Sequence, residues 1–177
     1  LIIMDIKEDL ISLFRRNNDA LEAGSGPIIN TFREQAFRDF DRLGIPTAKN
    51  EAYRYTPLEK YLQGNYDVEL NANPFKVDLR DIFKCDIPEL DTRVILVLNG
   101  FFYPVEPAEE LPGGVVVCGL SEASSRYPEL FNRHYSRYAD TSADGLVALN
   151  TLFAQDGVFV YVPPRTVIEK PLQIINL

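Results

Sequence analysis

The run Leu149-Asn150-Thr151-Leu152-Phe153-Ala154-Gln155-Asp156-Gly157-Val158-Phe159-Val160-Tyr161-Val162-Pro163 constrains the fold more than any other stretch of this chain. It reads as the end of a helix, a tight turn at Gln155-Asp156-Gly157 and a strand closed by Pro163 and Pro164. A second apolar run, Glu169 to Leu177, follows at once. In the first run Val158, Val160 and Val162 project to one face of a strand, and Phe159 and Tyr161 to the other. Both faces are apolar, so the strand needs cover on both sides or a stacked neighbour. Residues 172–177 present an unpaired edge that a partner would have to cover, and Pro171 suits the start of a strand. The expectation is that these 177 residues are the front part of something longer. Val158–Val162 and Leu172–Leu177 could be the first two strands of a parallel coil, although two runs do not establish a period.

The first half reads as helical. Ile3, Ile6, Leu10, Leu13, Phe14 and Leu21 recur at helical steps. Asp5, Glu8 and Asp9 lie near the start and Arg15 and Arg16 towards the end, a polarity that suits the helix dipole. Gly24-Ser25-Gly26-Pro27 breaks the chain, and Pro27 can open a second helix whose stripe is Ile29, Phe32, Ala36, Phe40 and Leu43. Glu34 and Arg38 form an i,i+4 pair there, and Gly44 before Ile45-Pro46 is a stop. Thr47 to Glu51 is a turn into a short helix or loop carrying Tyr53, Tyr55, Leu58, Tyr61 and Leu62.

Further on the period changes. Asp78 can cap a helical turn with Leu79, Ile82 and Phe83. Arg93 to Leu98 is a strand, and Asn99-Gly100 before Phe101-Phe102-Tyr103 signals a hairpin. Val115 to Cys118 is another short buried strand. Ser121 can cap a helix running towards Tyr138 with a break near Pro128. Asp140 to Gly145 is a loop, and Leu146 to Ala154 a helix.

Chemistry is sparse. A net charge of −8 and a pI near 4.7 oppose binding to a phosphate backbone as the main activity. Lys49, Arg54 and Lys60 interleave with Tyr53, Tyr55 and Tyr61 like a platform for single strands. The simpler reading has those tyrosines roofing the helical pair with their hydroxyls at solvent. His134 is the one histidine and reads as a partly exposed packing residue beside Phe131, Tyr135 and Tyr138. Cys85 and Cys118 have no motif spacing. Cys118, after Val115-Val116-Val117, reads as a buried inert thiol, and a single disulfide stays open. Three Cys/His candidates fall short of a structural zinc site or a cluster site. Gly113-Gly114 is a turn signal without a phosphate-binding motif. Glu106, Glu109 and Glu110 form a solvated, proline-flanked edge. The short apolar start lacks the features of a signal peptide, no run is long enough to cross a bilayer, and a cytoplasmic setting is expected.

Two segments together carry a resemblance. Phe40-Asp41-Arg42-Leu43-Gly44-Ile45-Pro46-Thr47-Ala48-Lys49-Asn50-Glu51-Ala52-Tyr53-Arg54-Tyr55-Thr56-Pro57-Leu58 is similar to a signature of the SufB/SufD family, Gly-(Leu/Phe/Ile)-Pro-Thr followed by Glu-x-(Trp/Tyr)-(Arg/Lys)-Tyr-Thr. The stretch Ala148 to Pro163, continued by Glu169-Lys170-Pro171, resembles the entry into that family's core. Val97-Leu98-Asn99-Gly100-Phe101-Phe102 and Leu111-Pro112-Gly113-Gly114-Val115 also fit. Tyr53 stands where many relatives carry tryptophan. The Pro46-Thr47 and Tyr55-Thr56 pairs favour the SufD branch over the SufB branch.

The resemblance implies an α+β fold: a helical N-terminal region over 1–90, a mixed α/β segment over 91–145, and the start of a right-handed parallel β-helix over 146–177. It implies a non-ATPase scaffold subunit of the SUF iron–sulfur cluster assembly complex, not an enzyme, acting with SufB-like and SufC-like subunits. No membrane or nucleic-acid partner is expected. No catalytic, cofactor-binding or metal residue is carried over, and no cofactor is expected in this segment, the Fe–S cluster being handled by the whole complex. The alternative is a β-helix enzyme acting on sugar or acyl substrates, with its active site beyond Leu177.

Overall fold

The computed structural model describes residues 6–62, 70, 91–104 and 111–177. The chain divides into two compact units, one of residues 1–70 with 121–155 and one of residues 71–120 with 156–177. Residues 121–155 fall in the same unit as the N-terminal helices. The expected helical turn at Asp78 lies outside the described residues.

In the helical unit, α1 (Ile6–Ala23) starts with Glu8 and Asp9 in its first turn and buries Ile11, Phe14 and Leu21. Its last turn carries no basic residue, so Arg15 and Arg16 are mid-helical and do not complement the dipole's negative end. The single helix expected after Pro27 is divided into α2 (Pro27–Asn30) and α3 (Arg33–Leu43). Side chains that compete with the helical ladder explain the break. The Thr31 hydroxyl donates to the Ile28 carbonyl at 2.7 Å, and the Asn30 amide reaches back to the Glu22 carbonyl at 3.0 Å. Ile29, Ala36 and Phe40 of the expected stripe are buried. The Glu34–Arg38 pair forms on the exposed face. Gly44, at φ 64°, ends α3 by donating its N–H to the Phe40 carbonyl at 2.8 Å, a left-handed position that favours glycine.

After a turn closed by Asn50 N–H on the Thr47 carbonyl, a 3-10 turn at Glu51–Tyr53 leads to α4 (Leu58–Leu62). Beyond these, α5 (Leu120–Arg126) begins one residue before Ser121, so that serine lies within the helix and does not cap it. Then α6 (Pro128–His134) stops short of the expected Tyr138, and α7 (Gly145–Phe153) follows. The core joins Ile11, Phe14, Leu21, Ala36, Phe40, Ile45, Ala148 and Leu152, and α3 against α7 is its most extensive helix contact.

In the strand unit, β1 (Arg93–Leu98) and β2 (Phe101–Tyr103) form an antiparallel hairpin with Leu98 opposite Phe101. Asn99 and Gly100 have φ of 49° and 86°, as expected where a two-residue turn must match the strand twist. The strand β3 (Val116–Gly119) pairs antiparallel with β4 (Val158–Tyr161). The last strand, β5 (Leu172–Asn176), pairs parallel with β1, with Arg93 opposite Leu172 and Val97 opposite Asn176. The sheet orders are β2-β1-β5 and β3-β4. The two terminal apolar runs therefore belong to different sheets. Ile95, Leu96 and Val97 are buried, so β1 is covered on both faces. Val160 and Val162 are each 39 % exposed and Ile174 is 49 % exposed.

Candidate functional site

The signature segment folds around an open cleft of about 250 Å3 in the helical unit, lined by Leu43, Gly44, Pro46, Asn50, Glu51, Ala52, Tyr53, Ala143, Asp144 and Gly145. Asp144 organises one wall. It caps α7 by accepting the Leu146 and Val147 N–H groups at 2.7 and 3.2 Å, which satisfies two donors that a helix start leaves open. Its other oxygen accepts the Tyr53 hydroxyl at 2.7 Å. Burial works to raise the Asp144 pKa, but the bonds from Tyr53, Val147 and Leu146 outweigh it and hold the carboxyl below its ordinary range. The same bond, aided by burial, raises the Tyr53 hydroxyl above its ordinary value. The Tyr53 hydroxyl thus ties the signature segment to the start of α7. It is bound to a cap and does not lie free at solvent, which corrects the sequence expectation for this ring.

Two further polar groups fix the elements around the cleft. Asp39, 4 % exposed, accepts the Thr141 hydroxyl at 2.7 Å and the Gln35 amide at 3.1 Å. Arg42 lies 3.4 Å from Asp39 and donates to the Ser142 carbonyl at 2.8 Å. Burial pushes the Asp39 carboxyl up, and the bonds from Thr141, Gln35 and Arg42 together bring it below the ordinary range. The 140–144 loop is therefore held by a carboxylate at each side.

Arg33 is 2 % exposed. Its guanidinium donates to the Leu152 and Ala154 carbonyls at 2.5 Å each, to the Leu21 carbonyl at 3.3 Å and to the Ser25 hydroxyl at 2.7 Å, while Nε donates to Asn30 at 2.9 Å. Burial lowers its pKa, opposed by Tyr135 and Glu22, and a guanidinium keeps its proton at neutral pH. It places a cation on the last carbonyls of both α1 and α7, where the helix dipoles are negative. Arg33 supplies what the last turn of α1 lacks.

The residues singled out from sequence do not converge on a reactive centre. His134 is exposed, with Nδ1 at 2.5 Å from the Tyr138 hydroxyl. Tyr55 and Tyr61 are 89 % and 63 % exposed, so they do not roof the helices, and Arg54 lies over the Tyr55 ring at 5.7 Å. Cys118 is buried, as expected. Cys85, Glu106, Glu109 and Glu110 lie outside the described residues. Among the described residues no three His, Cys, Asp or Glu groups are placed to hold a metal ion, and no helix is long and apolar enough to cross a membrane. Of the two carboxylates that line the cleft, Glu51 is exposed and Asp144 is committed to three donors, two at the start of α7 and one from Tyr53.

A family model described as the SufBD protein N-terminal region matches residues 4–174. The chain belongs to the SufBD family. Iron–sulfur cluster assembly SufBD family proteins are among its relatives. One from Pyropia yezoensis is 24 % identical over 174 residues, covering 92 % of this chain and 35 % of that protein. A chloroplastic one from Arabidopsis thaliana is 34 % identical over 59 residues, covering 33 % and 11 %. One from Mycobacterium bovis is 23 % identical over 150 residues, covering 80 % and 18 %. The matched stretch is thus about a third or less of each relative's length.

Membership rests on the family match over residues 4–174, which runs through both the cleft segment and β4. Sequence reasoning missed Arg33, Asp39 and Asp144. A charged residue at a buried helical position was the available signal for the first two. For Asp144 it was an Asp immediately before an apolar helix, the usual N-cap pattern.

Proposed function

We propose that this SufBD chain is the N-terminal region of a SufD-type, non-ATPase scaffold subunit of an iron–sulfur cluster assembly complex. The observation that carries the reading is the family match from residue 4 to residue 174, running through both units, in a family whose relatives are named for cluster assembly. The Pro46-Thr47 and Tyr55-Thr56 pairs support the SufD branch over the SufB branch. In this reading the segment performs no catalytic step: it orders the approach to the scaffold, and the cluster is cargo of the whole complex. SufB-like and SufC-like subunits are its partners, in a cytoplasmic setting, although the Arabidopsis relative's name places that protein in the chloroplast.

β4 and β5 are, on this proposal, the first strands of a right-handed parallel β-helix. Two features support it: β5 pairs parallel with β1, and Val160, Val162, Ile174 and Leu177 remain exposed. Apolar strand faces of this kind gain about 25 cal/mol per Å2 when a further layer removes them from water. Co-expression of the full-length protein with SufB-like and SufC-like subunits, followed by affinity capture on this protein, tests the assignment. Recovery of both partners is expected, and recovery of neither contradicts it.

A further inference from the structure

We propose that the exposed turn Arg133-His134-Tyr135-Ser136-Arg137-Tyr138, at the end of α6, is a docking surface for an acidic segment of a partner protein. The turn is built to be presented. Tyr135 anchors it, stacked on Phe131 at 4.6 Å between ring centroids and edge-on to Phe32 at 5.5 Å. Ser136 then adopts φ 55°, a left-handed conformation that costs a non-glycine residue about 1 kcal/mol. The chain turns back so that the Tyr138 ring lies 6.0 Å from the His134 ring. Tyr138 is nevertheless 81 % exposed, and an exposed ring returns little hydrophobic stabilisation to the fold. The strain therefore places an aromatic ring in solvent beside basic groups.

The charges of the turn oppose those of the molecule. The chain carries a net charge of −8, yet Arg133 and Arg137 are exposed, and among the described residues neither side chain has a hydrogen-bond or ion-pair partner. The preceding arginine, Arg126, is already paired with Glu122 at 3.0 Å. Asp140, the nearest acid after the turn, is occupied by the Ser142 backbone N–H and hydroxyl. Two free guanidinium forks beside a tyrosine suit carboxylates, which they bind in two-pronged fashion.

Magnitudes favour a short acidic polypeptide over other anions. A membrane surface yields about 1 kcal/mol per arginine, and two arginines fall short of stable attachment. A nucleic acid needs a longer basic track, because its affinity grows with the number of phosphates neutralised. Beyond these few residues it would meet an acidic protein.

The test is fluorescence anisotropy with the 177-residue chain and a labelled peptide of alternating glutamate and glycine. Its glutamine counterpart, a single-stranded oligonucleotide and anionic phosphatidylglycerol vesicles serve as comparisons. The acidic peptide is expected to bind, and more weakly as salt rises. The double charge reversal Arg133→Glu with Arg137→Glu should weaken it by about tenfold, and Tyr138→Ala by a smaller factor, with thermal melting unchanged. Reversals at Arg16 and Arg165, outside the turn, make the same change in net charge and should matter less. The proposal is overturned if the glutamine peptide binds equally, if the turn reversal matters no more than the control reversal, or if the oligonucleotide or vesicles bind as tightly as the peptide.

Discussion

The helical unit and the strand unit solve the burial problem in opposite ways. In the helical unit apolar stripes converge on one core, and the polar groups inside it are answered: Arg33 by carbonyls at two helix ends, Asp39 by Thr141, Gln35 and Arg42. In the strand unit β1 is buried on both faces, while β4 and β5 keep valine and isoleucine side chains in water and β5 is an edge of its sheet. A sequence can thus spend its polar residues on closing one unit and leave another with apolar surface to be covered. The difference teaches that one unit of this SufBD region closes its apolar stripes on a single core, while the other keeps aliphatic strand side chains exposed.

The largest expected effect is at Arg33. Arg33→Met leaves several buried carbonyls without donors and should cost about 3 kcal/mol of the helical unit's stability in urea denaturation. Arg33→Lys should recover only part of this, because an ammonium cannot reproduce the fork. A loss below about 1 kcal/mol for both would break the comparison, since the helical unit would then not depend on that answered charge. Next comes Gly145→Ala. A Cβ there would collide with the Gly44 carbonyl oxygen, so a loss of about 2 kcal/mol is expected in the same measurement.

Smaller effects sharpen the contrast. Tyr53→Phe removes the bond to Asp144 and should cost about 1 kcal/mol. Asp39 and Asp144 are both held below the ordinary carboxylate value of 3.8. A group depressed in the folded state contributes stability that is present above its unfolded pKa and lost as pH falls through its folded pKa. Stability should therefore decline as pH drops below about 4, and Asp39→Asn should flatten that acid limb. Least affected should be Val160→Thr with Ile174→Thr, expected to change the stability of the chain alone by under about 0.5 kcal/mol. A larger loss would show that these side chains already support the fold.

Much of this contrast was legible in the sequence. Pro27, Gly44 and Asn99-Gly100 act through one residue's own backbone preference, so they mark the same boundaries in the chain as in the structure. The stripe of Ile29, Ala36 and Phe40 was visible because its period is local. The split at Thr31, by contrast, depends on Asn30 reaching Glu22 across a neighbouring helix, and Arg33 meets carbonyls more than a hundred residues away in sequence. Such partners have no local pattern. The Tyr53–Asp144 bond was hidden for the same reason: its ring was legible, and its partner was not. Alternation in β4 revealed two apolar faces without saying which stays in water. The family resemblance covered what spacing could not, through the motif order from Gly44 to Pro163.

Amide hydrogen exchange on the chain alone tests the central claim, that the helical unit is closed while the strand unit offers uncovered surface. The account predicts the slowest exchange in α3 and α7, and faster exchange in β4 and β5. Exchange in β5 as slow as in α3 and α7 would contradict it.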